Sequence, residues 1–144
     1  MLRFDETMAG SWTPTGGGSP RPLRFSVEVS APSLREHLRT GRAGLRGVID
    51  ADGLATQAPL TGTILIRPLD PRQRRIRYEF EFPADDGRAV RFEGQKDIRW
   101  LAARRTWTTL PGALWHGSDQ IGTSETRFDL AHDSVRFARS FRFW

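Results

Sequence analysis

Residues 75–98 constrain the fold more than any other part of the chain. Ile76, Tyr78, Phe80 and Phe82 alternate with Arg75, Arg77, Glu79 and Glu81. After Asp85, Asp86 and Gly87 the alternation resumes, with Val90, Phe92, Gly94, Lys96 and Ile98 on one face. A two-residue period with one apolar and one polar side marks a half-buried β-strand. Asp85, Asp86 and Gly87 supply the positive backbone angles of a tight turn, so the two runs are expected to form an antiparallel hairpin. Lys96, the only lysine in the chain, falls in register with the core side.

The same periodicity recurs on both sides of this hairpin. Leu2, Phe4, Met8 and Trp12 share a face over residues 2–12, and Glu6 falls on that face; Leu23, Phe25, Val27 and Val29 do the same between Arg24, Ser26, Glu28 and Ser30. Three successive glycines among prolines make residues 13–22 a surface loop. Ser33 and Glu36 have capping-box spacing, and Leu34, Leu38 and Gly41 complete the pattern of a short helix. Residues 43–50 and 60–67 read as strands joined by a connection over 52–59. Residues 106–110 read as a strand stopped by Pro111 and Gly112, with 113–116 resuming it, and 122–130 as another. Residues 100–105 fit a helical turn or a bulged corner, and 133–144 a short helix followed by an extended end.

About eight short strands, one or two short helices and frequent turns predict a single all-β domain over residues 1–144, an antiparallel barrel of lipocalin-like shape. Gly10, Gly47, Gly62 and Gly94 sit on the inward register of separate strands. There they permit sharp barrel curvature or leave room inside.

Composition narrows the chemistry. The chain has 144 residues and no cysteine, which excludes disulfides, thiolate nucleophiles and sulfur-ligated metals. No apolar run approaches the roughly 20 residues of a membrane span, and the first residues lack signal-peptide character, so a cytoplasmic protein is expected. The net charge of +5 comes from arginines interleaved with acids, a solvated strand face more than a nucleic-acid surface.

Catalytic patterns are sparse. His37, His116 and His132 lack metal-ligand spacing, Ser11, Ser26 and Ser124 stand alone, and there is no phosphate loop or dinucleotide motif; no metal and no cofactor is expected. Glu6 and Lys96, both predicted on core faces, are expected to meet or to bind a polar ligand group, because an unpaired buried charge costs several kcal/mol. The competing reading is a bulge or snorkelling that puts Lys96 outside. Trp100, Trp107 and Trp115 lie close together in sequence and can line an apolar cavity or simply form core. The candidate ligand-binding set is therefore Glu6, Tyr78, Phe92, Lys96, Trp100, Trp107 and Trp115. Arg72, Arg74, Arg75 and Arg77, and Arg136, Arg139 and Arg142 among Phe137, Phe141 and Phe143, form a weaker single-stranded nucleic-acid candidate.

Residues 7–10, 53–56, 92–96 and 107–111 together resemble a bacterial β-barrel module that accompanies some glucose–methanol–choline flavin oxidoreductases, cholesterol-oxidase-like proteins among them. The resemblance implies an accessory or ligand-handling role beside an oxidoreductase acting on apolar alcohols or sterols. It carries over no redox activity, since the flavin-binding motif has no counterpart here. The expected function is non-enzymatic binding of a lipid- or sterol-like molecule. Alternatives are a protein-interaction module with a solid core, docking through Trp12 or Trp144, and a small barrel hydrolase or isomerase using Glu6, Lys96 or Asp97.

Overall fold

The computed structural model describes residues 2–31, 33, 35–36, 40–66, 75–97, 109–128 and 142–143, apart from the side chains of Leu2, Ile66, Arg75, Asp97, Phe128, Arg142 and Phe143. Eight strands carry the fold: β1 (Leu2–Pro14), β2 (Arg21–Ala31), β3 (Arg42–Ala51), β4 (Ala55–Ile66), β5 (Arg75–Pro83), β6 (Ala89–Asp97), β7 (Thr109–His116) and β8 (Asp119–Phe128). Each pairs antiparallel with the next, and β8 and β2 both pair with β1, so the sheet closes on itself. Closure leaves no long edge to template aggregation. A two-residue strand β9 (Arg142–Phe143) pairs with the start of β1, as the predicted extended end requires; the predicted helix before it lies outside the described residues. In the expected short helix, Ser33 Oγ accepts the Glu36 amide at 3.2 Å; Leu34, His37, Leu38 and Arg39 lie outside the described residues.

An up-and-down barrel gathers alternate connections at opposite ends. At one end the strands join through 15–20, 52–54, 84–88 and 117–118, and at the other through 32–41, 67–74 and 98–108. The short-turn end is tied shut. The Trp12 indole donates to Asp52 O at 3.1 Å, and Asp85 accepts both the amide and the hydroxyl of Thr56. The Asp85 amide bonds Leu54 O, and the Asp52 amide bonds Pro22 O. Trp12 is buried in this closure, so it is not the exposed docking aromatic the interaction-module reading requires.

Alternation correctly predicts the inward faces of β1, β2, β5 and β6, and the β5–β6 ladder runs from Arg75↔Asp97 to Pro83↔Ala89 without a register shift. Three local expectations differ. In the 84–88 turn Gly87 takes the positive φ of 88° and neither aspartate does; Gly87 N bonds Ala84 O, which makes a longer hairpin loop closed by one left-handed glycine. The connection expected over 52–59 is confined to 52–54, because β4 already begins at Ala55. Its alternation is concealed by a slip in the ladder between Ile49 and Ala51 and by Gln57, whose φ of 45° is held by bonds from its amide and side chain to Asp50. Finally, Pro111 and Gly112 do not interrupt β7. The β6–β7 ladder ends at Gly94↔Gly112, so Pro111 has a partner only on β8 and its missing N–H breaks no bond to β6.

Inward glycines serve curvature and packing. A Cβ on Gly62 would lie 2.0 Å from Glu79 O, and one on Gly47 would lie 1.9 Å from Ser26 O, so the walls bend there to a closeness only glycine permits. Gly94 and Gly112, paired across β6 and β7, leave space that the Phe92 ring fills.

Candidate functional site

Aromatic side chains fill the barrel midway along its length. Phe92 stacks on Phe80 with centroids 4.6 Å apart at 15°. Phe25, from the opposite wall, packs on Phe80 at 5.2 Å and on Phe92 at 5.7 Å. Such offset and tilted contacts contribute about 0.5–1.5 kcal/mol each beyond area burial.

Toward the long-connection end, the layer beside this stack is polar. Glu6 on β1 faces β5 and β6 across the interior. Its Oε1 accepts a bond from the Tyr78 hydroxyl at 2.6 Å and lies 3.6 Å from Lys96 Nζ. Lys96 Nζ also sits 5.2 Å from the Tyr78 ring centroid, within cation–π range. Exposures of 9% for Glu6, 4% for Lys96 and 1% for Tyr78 place all three inside. Tyr78 packs edge-on against Phe25 at 6.4 Å, so the polar cluster rests directly on the aromatic stack. The expected Glu6–Lys96 pair is therefore present, and the ladder of β6 carries no bulge that would turn Lys96 outward.

The cluster joins strands on opposite sides of an eight-strand cylinder. Within it, Tyr78 holds Glu6 with a short charge-assisted hydrogen bond, while Lys96 approaches the same oxygen at ion-pair distance. Burial pushes the Lys96 pKa below its ordinary 10.5, with Glu6 acting in the opposite direction. Burial, reinforced by the Glu6 charge and hydrogen bond, pushes the Tyr78 hydroxyl well above 10.0.

The two shifts give a pH signature of opposite signs. Between the folded and unfolded pKa of Lys96 the unfolded chain binds more protons, so stability rises with pH toward 10.5. Above 10.0 the unfolded chain loses the proton that folded Tyr78 keeps, so stability falls. Each slope is at most about 1.4 kcal/mol per pH unit, and the two overlap between the ordinary values. Tyr78 is the only tyrosine in the chain, so phenolate absorbance reports it alone. The folded protein is expected to show no phenolate through pH 10, and Lys96→Met to lose the rise in denaturation midpoint below that pH. Ionisation of the folded protein near pH 10 would place Tyr78 in water.

Other expected site residues are distributed differently. Phe92 belongs to the aromatic stack beside the cluster. Trp115 is half-buried and pairs with Arg91 on the outward side of the β6–β7 ladder, where Arg91, bonded to Glu93 at 3.0 Å, lies 5.9 Å from its ring; its indole nitrogen is buried without a hydrogen-bond partner among the described residues. Trp100 and Trp107 lie outside the described residues, as do Trp144, His37 and His132, and the side chain of Asp97 is not among those described. His116 is exposed at the short-turn end, and no group of metal-ligating side chains occurs among the described residues. In the first basic group, Arg72 and Arg74 fall outside the described residues; Arg77 is exposed, 4.0 Å from Glu79.

Sequence reasoning did not foresee the Tyr78–Glu6 bond, which needs the fold to bring residues 72 positions apart into contact. Nor did it place Thr126, or Ser124, which it had considered only as a nucleophile, in the interior; both hydroxyls are buried on the inward face of β8 without a hydrogen-bond partner among the described residues. The strict alternation of β8 was the signal available for these two. Two grooves of about 420 and 410 Å³ lie elsewhere, one lined by Arg24, Asp50 and Thr56 and the other by Ser33, Glu36 and Arg42. Neither includes a member of the cluster. No helix among the described residues is long and apolar enough to cross a membrane.

No known protein family and no curated protein matches this chain. Among solved structures it is similar to a de novo designed fluorescence-activating β-barrel, with a TM-score of 0.46, 17% identity, and coverage of 86% of this chain and 92% of that one.

Proposed function

We propose that this barrel binds a small, largely apolar molecule through its long-connection end, with Glu6, Tyr78 and Lys96 holding the ligand's polar group. The observation that carries this reading is a charged pair buried inside a largely apolar barrel, in the half nearer that end. Replacing such a pair with hydrophobic residues is often neutral or stabilising, so stability alone gives little reason to place one there. A ligand site uses the same elements: an aromatic floor, here Phe25, Phe80 and Phe92, and a few convergent polar groups that set orientation. The tied short-turn end supports entry from the opposite side.

The ligand class is lipid- or sterol-like, matching the aromatic floor. Service beside a cholesterol-oxidase-like flavin enzyme belongs to the same proposal and rests on the sequence resemblance; co-elution with such an enzyme tests it. A solid-core interaction module draws support from the filled aromatic layer. An acid–base enzyme draws it from the convergence of Glu6 and Lys96, and would show turnover where a binding protein shows stoichiometric uptake.

Native mass spectrometry and solvent extraction of the purified protein, followed by calorimetric titration with fatty acids and sterols, test the binding reading. The expected result is one apolar molecule bound per chain, displaceable by a member of the panel. An empty protein that takes up none of them would contradict it and favour the interaction module.

A further inference from the structure

We propose that Lys96 is a covalent anchor: its amine condenses reversibly with the carbonyl of an aldehyde or ketone ligand, and Glu6 is the counter-ion of the iminium that results. The inference rests on the binding reading above and specifies its ligand class.

The geometry supplies the parts that imine chemistry needs. An amine must be uncharged to attack a carbonyl, and lysines buried in apolar surroundings are those that reach this state near neutral pH. Lys96 is 4% exposed among aromatic and aliphatic side chains, and burial lowers its basicity. It is also the only lysine in the chain, with no competing side-chain amine. An iminium retains a positive charge, and inside a barrel that charge needs a fixed partner; Glu6 Oε1 is 3.6 Å from Nζ and stands on the opposite wall. Tyr78 donates to that same oxygen at 2.6 Å and so fixes the carboxylate.

The step balances without oxidant or reductant. The Lys96 ammonium passes a proton to Glu6, and the free amine forms a bond from Nζ to the carbonyl carbon while the C=O π pair moves to oxygen. Protonation of that oxygen, loss of water and closure of the nitrogen lone pair give C=N. Two of the three ammonium hydrogens leave in the water; the third remains on the iminium nitrogen, and the Glu6 carboxylate is regenerated beside it. The charge of the pair is the same before and after.

Cinnamaldehyde is a suitable probe, with cinnamyl alcohol as the control that lacks the carbonyl. The full chain is titrated with each by calorimetry, then treated with cyanoborohydride, and the modified peptide is identified by mass. The expected adduct adds one cinnamaldehyde less its oxygen, sits on the Lys96 peptide and not on the α-amino group, and is absent in Lys96→Arg. The aldehyde is expected to bind at least about tenfold tighter than the alcohol. In Glu6→Gln the trapped yield is expected to fall, and the ultraviolet band of the imine to shift to the position of the neutral form. If both probes bind equally and Lys96 stays unmodified, the covalent inference is overturned while the binding reading stands. If neither binds and Lys96 stays unmodified, the covalent inference is overturned, and the binding reading falls with it when the fatty acids and sterols also fail to bind.

Discussion

Lys96→Met is expected to destabilise the barrel by about 3–5 kcal/mol at neutral pH, the typical cost of removing one partner from a buried ion pair. The side chain that replaces the lysine is well suited to the apolar surroundings, so the loss comes from Glu6, whose charge would be left inside with the Tyr78 hydroxyl as its remaining described partner. The double variant Glu6→Gln/Lys96→Met is expected to recover most of the loss and to come within about 1 kcal/mol of the wild type, or above it. In it neither position carries a charge, and the new amide oxygen still accepts the Tyr78 hydrogen. Urea unfolding of the wild type, Lys96→Met, Glu6→Gln and the double variant gives the coupling energy directly. A single variant as stable as the wild type would mean that the Lys96 ammonium lies in water.

Phe92→Ala is expected to cost about 3–5 kcal/mol, the range for removing a buried aromatic ring. At roughly 3–4 °C per kcal/mol for a domain of this size, its Tm falls by about 10–20 °C. Phe92 has 0% exposure, stacks on Phe80, packs at a tilt on Phe25, and fills the space left by two glycines. The last point makes the prediction specific. A Cβ on Gly112 would lie 2.7 Å from the Phe92 ring, so Gly112→Ala is expected to destabilise the wild type by about 1–3 kcal/mol through overpacking. In the Phe92→Ala background the ring contacts are gone and the Ser124 hydroxyl, also 2.7 Å away, is the near contact that remains, so the cost is expected to shrink by at least about 1 kcal/mol. Additive effects would show that the ring is not wedged between the paired glycines.

The inward face of this barrel was legible because half-buried strands write their burial directly into the sequence. Residues such as Tyr78, Phe80 and Phe82 state their direction without reference to any partner. The same logic located Glu6 and Lys96, since a charged residue in a core register is conspicuous, and two of opposite sign are expected to meet. What alternation cannot encode is which walls oppose one another. The Tyr78–Glu6 bond follows from β1 and β5 standing across the barrel, a property of strand number and closure. Alternation also misleads when weight is given to residue type over parity. Trp115 looks like a cavity residue by its size, yet it pairs with Arg91 on the outward side of β6. The sequence of residues 52–59 reads as a connection for a related reason: a ladder slip and a positive φ at Gln57 break the period locally while the strand continues. At Pro111 a residue that often ends strands is tolerated because of its place beyond the β6 ladder, which no local pattern reveals.

The claim that the buried cluster is the ligand anchor is tested most directly by one titration. The fluorescent fatty acid cis-parinaric acid is added to the wild type and to the folded Glu6→Gln/Lys96→Met variant, with fold integrity checked by circular dichroism. A wild type that binds with Kd at least about tenfold lower than the variant, a difference of about 1.4 kcal/mol, is the predicted result. Equal affinity in two equally folded proteins would contradict it, and would leave Glu6, Tyr78 and Lys96 as a structural bridge across the barrel.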